Sequence, residues 1–390
     1  MSTLKSFIKS RKIELCTEKT KIVVFNKHGK EKKEVWKWEG REIEETQCFK
    51  YLGFTFNRKG DYEDHIAELS EKGKAAAKKV WGLGERVRRN DFIRRWVLFK
   101  YLVQSVMGYG VEIWGWEERG SLERIMLDYT RWIFNIEFCT PRYVIMRELA
   151  MDKLRIGWGI RAMRYERRIG TRKEDGLLRS CWKEKEESKW KDVYSKEREK
   201  FYNRNGWGIN ARELREGGNE GRLEKEIIRR ERDGQRQWEE SKLRAARYNV
   251  RYKEFDAGNR KHNYLRKENL GRIGIGEGVR GLVRLRCGNM EEGNKYWIEK
   301  EQKRCVFCGK ETDCMEHYVG ECQRVSSWFR ELGENKEKVW KKLWSDELDS
   351  EKCKVLSKLE RERKKEIEKK KKGEKIGSKS IVIDLVARRK

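Results

Sequence analysis

A single proline, Pro141, stands in 390 residues. Proline suits turns, sheet edges and linkers and is expelled from helix interiors. A chain that does almost without it is predicted to be mostly α-helical, neither a β-sandwich nor a proline-rich linker protein. In TPRYVIMREL, Thr140 is placed to cap a helix whose first position is Pro141. Charged residues make up 41% of the chain and the formal net charge is +29. That balance fits a phosphate-rich partner better than a small-molecule substrate. The acidic residues are interspersed, which predicts long helices with mixed-charge faces. Aromatic residues at 11% exclude a disordered tail protein.

Residues 1–60 read as a mixed segment. LKSFIKSRKIELC has apolar residues at helical spacing, and KTKIVVF predicts a buried strand over Ile22–Phe25. NKHGK, with His28, is a turn signal, and VWKWEG follows as a second strand. CFKYLGFTF is short and aromatic, and Gly53 at its centre implies a bend or a close backbone approach. From Gly60 the period becomes helical. Ile66, Leu69, Ala76, Ala77 and Val80 form one face, with Asp61 or Asp64 as cap and His65 at the helix start. A second stripe is Phe92, Trp96, Phe99, Val103 and Val106; a third is Leu122, Ile125, Tyr129, Ile133 and Ile136. Trp96, Trp114, Trp116 and Trp132 read as core. Residues 61–170 are therefore expected to form a compact helical bundle with basic outer faces. Residues 171–270 predict a charged connector of solvated helices and loops, in which Ser241–Phe255 is a basic amphipathic helix. Residues 331–390 form a basic low-complexity tail; Lys369–Lys372 is a nuclear localisation signal or a solvated helix end.

The region 271–330 contains CVFCGKETDCMEHYVGEC, from Cys305 to Cys322. No apolar run is long enough to span a membrane, and the N-terminus lacks a signal-peptide apolar core. The expected location is the nucleus or cytoplasm, where thiols stay reduced and clustered cysteines indicate metal before disulfide. Cys305, Cys308, His317 and Cys322 have the spacing C-x2-C-x8-H-x4-C. They offer four soft donors to a tetrahedral, structural Zn2+ with no open position. Cys314 could replace His317, and Cys287 is a more distant substitute. His317 is favoured because the four residues before Cys322 would let both lie on one helical face. A closed module of this size draws its folding energy from the metal, about 10–16 kcal/mol in zinc-finger peptides. Chelation is therefore expected to unfold residues 300–325 and spare the 61–170 bundle.

Taken in order, KTKIVVF, FKYLGFTF, HIAELSEKGKAAAKKVWGLGER, SVMGYGVEIWGW and TPRYVIMREL resemble the downstream end of a non-LTR (LINE-type) retrotransposon reverse transcriptase. RLRCGNMEEGNKYW and the knuckle fit the same pattern. The resemblance spans about residues 4–330. It implies a palm remnant over 1–60, with Tyr51, Leu52 and Gly53 as a primer-grip hairpin. It implies a helical thumb over 61–170, whose Lys74, Lys78, Lys79, Arg88, Arg89, Arg94 and Arg95 would meet template–primer phosphates. A connector and a zinc knuckle follow, and the Ser241–Phe255 stretch becomes a plausible RNA contact. Polymerases hold two metal ions on carboxylates, typically an Asp-Asp strand. The family would place that strand before residue 1, and the sequence has no Asp-Asp pair. Asp61 and Asp64 read as helix caps, and Asp346 and Asp349 lie in the polar tail. The expectation is a truncated, non-enzymatic fragment that binds RNA or DNA. The alternative is a co-opted host adaptor whose knuckle and charged helices bind protein.

Overall fold

The computed structural model describes residues 2–25, 35–171, 176–188, 191–208, 220–246, 251–255, 261–295 and 297–387. The NKHGK turn with His28, and residues 247–250 of the expected Ser241–Phe255 helix, lie outside them. Five short strands come first: β1 (Lys21–Ile22), β2 (Trp36–Trp38), β3 (Arg41–Glu45), β4 (Cys48–Tyr51) and β5 (Phe54–Asn57). The described α-helices of six residues or more begin with α1 (Ser2–Ser10), α2 (Glu63–Arg88), α3 (Phe92–Leu98), α4 (Gly120–Phe134), α5 (Arg142–Glu148) and α6 (Leu154–Gly170). They continue with α7 (Leu177–Glu187), α8 (Val193–Arg204), α9 (Glu220–Ala245), α10 (Gly276–Arg286), α11 (Met315–Gly320), α12 (Lys336–Trp344) and α13 (Ser350–Ala387). The fold is mostly α with a small N-terminal β region, as the sequence predicts.

The chain divides into two compact units. One comprises Met1–Ala76, Gln104–Ile125 and Lys153–Glu231; the other comprises Ala77–Val103, Met126–Asp152 and Arg232–Lys390. This partition cuts across the linear one read from sequence. Residues 61–170 contribute to both units, and so do residues 171–270.

In the first unit, β1 runs parallel to β3, and β2 pairs antiparallel with β3. The expected buried strand is two residues long and half-exposed, and Phe25 is exposed. Its one partner among the described residues is β3, so only one edge is paired. β4 and β5 form a hairpin in the register Tyr51↔Phe54 and Cys48↔Asn57. Its two-residue turn places Leu52 at φ 46° and Gly53 at φ 81°. That geometry matches strand twist but is strained for any residue with a Cβ, so Gly53 is required and Leu52 pays. The hairpin is fixed to α2 by His65, whose ring stacks on Phe54 at 4.0 Å. His65 Nδ1 accepts from the Thr55 amide at 3.4 Å, and Nε2 lies 3.3 Å from the Tyr109 carbonyl. At the other end Asn57 bridges Asp61 and Asp64, and Asp61 accepts from the Glu63 amide at 3.0 Å, which caps α2 as expected.

The core of this unit is aromatic. Trp114 meets Trp158 edge-on at 5.2 Å, and Trp116 meets Tyr194 and Phe201 at 5.8 and 5.4 Å. Both Trp114 and Trp116 are fully buried. The residues after 170 are therefore less solvated than composition suggests. α8 buries Tyr194, Phe201 and Tyr202, and α9 starts with buried Leu223, Ile227 and Glu231. Glu231 takes Arg204 Nε at 2.7 Å and Arg155 Nε at 3.0 Å.

In the second unit a π-helical turn, Phe99–Gln104, follows α3. It adds a residue to the turn, so the buried stripe passes from Val103 to Met107 instead of the expected Val106. Phe92 stacks on Phe134 at 4.8 Å and Phe99 on Tyr129 at 4.6 Å. Thr140 does not cap α5. Its hydroxyl accepts from Asn289 at 2.8 Å, and Pro141 occupies the cap position. The expected low-complexity tail is also corrected: α13 buries Lys352, Val355, Leu356, Leu359 and Arg363. A Cβ on Gly278 of α10 would come within 2.5 Å of Cys353 on α13, so these helices meet where only glycine fits.

Glu123, buried in the first unit, accepts from the Arg155 amide at 3.3 Å, and burial and Glu118 push its pKa from 4.5 up to about 7. A raised folded pKa means that the neutral acid is favoured in the fold. The associated stability is complete below the ordinary carboxyl pKa and is lost as pH rises through about 7. Its full size is on the order of 3 kcal/mol. Glu123→Gln should flatten the fall in unfolding free energy between pH 5 and 8, read by denaturant titration at each pH. Equal slopes in variant and parent would reject this role.

Candidate metal centre

The donor atoms of Cys305, Cys308, His317 and Cys322 lie within 4.8 Å of one another and could hold a metal ion. Cys305 Sγ is 3.9 Å from Cys322 Sγ, and Cys308 Sγ is 3.2 Å from His317 Nε2. Cys305 and Cys322 are fully buried, His317 nearly so, and Cys308 half-exposed. The local fold places each donor. A bridge between Arg304 and Thr312 closes the turn that carries the first two thiols. His317 projects from the short helix α11. Cys322 is not on that helix, which stops at Gly320; its amide folds back to the His317 carbonyl at 2.8 Å. The shared helical face expected for His317 and Cys322 is thus replaced by a turn. Cys314 and Cys287 stand outside the four-donor group.

The two thiols of the first turn are driven apart electrostatically. Burial pushes Cys305 up to about 12. Burial also raises Cys308, but the amides of Lys310 and Glu311 and the His317 ring bring it down to about 6. An ion bound by all four of these donors would have no ligand position open.

The support beneath this centre was not legible in the motif. Asp313, fully buried, accepts from the Val306 amide at 2.9 Å and from the Glu292 amide at 2.9 Å. Arg363 of α13 donates to it at 2.7 Å, and the Tyr318 hydroxyl donates to the same carboxylate. Arg363 also donates to the Tyr318 oxygen. Val306 lies between two ligands and Tyr318 follows a third, so one carboxylate braces the centre from both sides. Phe307 packs edge-on to Tyr318 at 5.3 Å and to Trp328 at 5.7 Å. A lone Asp in a polar loop and an Arg fifty residues later carry no spacing signal that pairs them.

The other site residues named from sequence fare differently. Tyr51 and Leu52 are exposed at the hairpin tip, and Tyr109 donates its hydroxyl to the Leu52 carbonyl. On α2, Lys74, Lys78, Lys79 and Arg88 are exposed. Lys74 pairs with Glu71 at 2.7 Å, whereas Lys78, Lys79 and Arg88 have no acidic partner among the described residues. Arg89 is exposed beside Glu85 and Glu277, at 3.2 and 3.6 Å, and Arg94 beside Asp91 at 3.3 Å. Arg95 is corrected. It is completely buried, with Nη1 on Glu85 at 2.9 Å and on the Arg89 carbonyl at 3.1 Å, and no surface phosphate can reach it. Arg251, within the expected basic helix, is likewise engaged: it pairs with Glu291 at 3.0 Å and lies over the Trp340 and Trp344 rings. No described helix is long and apolar enough to cross a membrane. No family model, curated protein or solved structure matches the chain.

The geometry groups four candidate ligands. Replacing Cys305, Cys308, His317 or Cys322 singly by Ser or Ala should abolish stoichiometric metal retention in native mass spectrometry. Cys314→Ser and Cys287→Ser should retain the ion. Loss of metal in Cys314→Ser with retention in His317→Ala would overturn the assignment.

Proposed function

We propose that this chain is a nucleic-acid-binding segment of thumb-and-knuckle type, similar to the downstream part of a LINE-type reverse transcriptase, with a structural Zn2+ on Cys305, Cys308, His317 and Cys322. The observation that carries this reading is the Cys3His group, since it is the motif of that pattern whose donors converge in space. For tetrahedral zinc with Zn–S about 2.3 Å and Zn–N about 2.05 Å, the S–S edge is about 3.8 Å and the S–N edge about 3.5 Å. The separations of 3.9 and 3.2 Å lie close to both. The ion would neutralise the thiolates and supply folding energy to a loop with little apolar core of its own.

Two further features support the reading. The Tyr51–Leu52–Gly53 tip is held rigidly yet exposed, as a strand-gripping hairpin would be. Lys78, Lys79 and Arg88 are exposed and have no acidic partner among the described residues. Binding and not catalysis is assigned to this stretch, because it has no Asp-Asp pair on which to assemble two metal ions.

Purified chain should hold one zinc per molecule and bind RNA and DNA with steep salt dependence. If six to ten phosphates are neutralised, affinity falls roughly 10³–10⁵-fold between 50 and 200 mM salt. Fluorescence anisotropy across that range tests this. The combined change of Lys78, Lys79 and Arg88 to Glu should reduce the steepness by about one per lost phosphate contact. A salt-insensitive affinity, or incorporation of nucleotides on a primed template, would sink the proposal.

A further inference from the structure

The nucleic-acid reading above leaves open which surface of the second unit meets phosphate and what the metal centre contributes. Zinc knuckles that read bases need an exposed ring to stack on. Here Phe307 and Tyr318 are buried against each other, and Phe307 also packs against Trp328. The rings inside the metal loop have no face to offer.

The neighbouring helix has what the loop lacks. On α13, Lys354, Lys358, Arg361, Lys365, Lys369 and Lys372 recur at intervals of three and four residues and are all exposed. That spacing aligns them as one ridge. The ridge extends about 27 Å at 1.5 Å per residue. Between Lys354 and Lys372 there are ten cations and four carboxylates. Glu362 pairs with Arg361 at 3.1 Å and with Lys365 at 3.0 Å, and Glu366 pairs with Lys369 at 2.9 Å, so part of the ridge charge is offset locally. With ten cations to four carboxylates, a net excess remains. Lys354 and Lys372 have no acidic partner among the described residues. Lys358 lies over the Trp328 ring at 4.4 Å.

The opposite face of α13 is anchored. Val355, Leu356 and Leu359 are buried, and Arg363 enters the Asp313–Tyr318 cluster beside the metal ligands. A free basic tail would lose conformational entropy on binding a partner. This ridge is ordered beforehand, and its direction is set at Arg363.

We propose that α13 is a phosphate-binding ridge for a nucleic-acid duplex, and that the metal centre is the clasp that positions it through Asp313 and Arg363. The duplex is the partner of choice because its charge is dense and regular along one line, about one phosphate per 3.4 Å of each strand. A linear array of point charges matches that pattern without reading sequence.

The inference rests on the nucleic-acid reading, and one experiment separates their fates. Full-length chain is titrated against a 20-base-pair DNA duplex, an RNA duplex of the same sequence, and anionic lipid vesicles. The variants are Lys354→Glu/Arg361→Glu/Lys365→Glu, the same three positions with only the lysines changed to Arg, and Arg363→Ala. Metal content and melting temperature are measured for each. The charge-reversed variant should keep its metal, lose at least ten-fold in affinity for both duplexes, and have a log–log salt slope shallower by about 2.7. The Arg-for-Lys variant should bind as the parent does. Arg363→Ala, and parent chain treated with a chelator, should fall to about the affinity of the charge-reversed chain. Chelating the charge-reversed chain should change little further. If the parent binds duplex and charge reversal leaves affinity and slope unchanged, the ridge is refuted while nucleic-acid binding stands. If chelation weakens the charge-reversed chain as much as the parent, the centre contacts nucleic acid itself and is not a clasp. A parent chain that binds neither duplex refutes both readings, and charge-dependent binding to vesicles alone reassigns the ridge to membranes.

Discussion

Everything around the metal loop depends on one buried carboxylate, Asp313. An ionised carboxylate removed from water costs several kcal/mol unless its lone pairs are filled. Asp313 is satisfied by two backbone amides, a tyrosine hydroxyl and the Arg363 guanidinium. The partners come from four places in the chain, so the cost of burial is offset only when all four are assembled. The neighbouring groups respond: Arg363 is held firmly charged by Tyr318 and Asp313 despite burial, and burial and the same carboxylate keep Tyr318 neutral. Closing the metal loop and docking α13 are thereby one event, although fifty residues separate Asp313 from Arg363.

The second unit repeats this device. Glu148 is fully buried and meets Arg286 Nε at 2.6 Å, His262 Nε2 at 3.2 Å and the Tyr264 hydroxyl. Burial alone would raise its pKa, yet Arg286 and His262 hold it down to about 2. The stability this supplies is present above the ordinary carboxyl pKa and is lost as pH falls toward 2. Arg286 reaches on to the Trp344 carbonyl at 2.7 Å, where α12 ends. With 41% of residues charged, the chain has few apolar side chains to spare for its inner faces. It places ion pairs with fixed geometry there instead, and such pairs align elements in a way that interchangeable leucines do not.

That choice decides what could be read from sequence. The helical class, the stripes at Leu122–Ile136, the cap at Asp61 and the convergence of four Cys and His donors that could hold a metal were all legible, because apolar periodicity and cysteine spacing report directly on geometry. The docking of α9 was not. Its buried stripe continues Leu223, Ile227, Glu231, Gln235, Glu239, Leu243, so half the positions are polar and appear solvated. α13 was misread for the same reason: Lys352 and Arg363 close its buried face. Lys352 donates to the Ser345 and Glu347 carbonyls at 2.8 and 2.9 Å, and burial with the nearby Arg286 brings its pKa down to about 7. The π turn at Phe99–Gln104 escaped because a one-residue shift of period leaves almost the same apolar pattern. Arg95 looked like a surface cation because Arg94 and Arg95 sit together, one turned out and one in.

The cations are sorted by type. Among the described residues, the buried cations are Arg95, Arg280, Arg286 and Arg363, joined only by Lys153 and Lys352. Arginine is weakly hydrated and its planar fork can serve several acceptors at once, as Arg280 does with the Ile133 and Arg89 carbonyls and with Asn90. Lysine is strongly hydrated and stays outside, which is why the α13 ridge is five lysines and one arginine. On the α13 ridge the charge is thus presented mainly as mobile point charges. Such a ridge would attract phosphates without the bidentate geometry needed to distinguish base edges. If the ridge binds phosphate as proposed, its choice of lysine would favour recognition by charge density and shape over recognition by sequence, and that follows from the chemistry of the side chain before any ligand is considered.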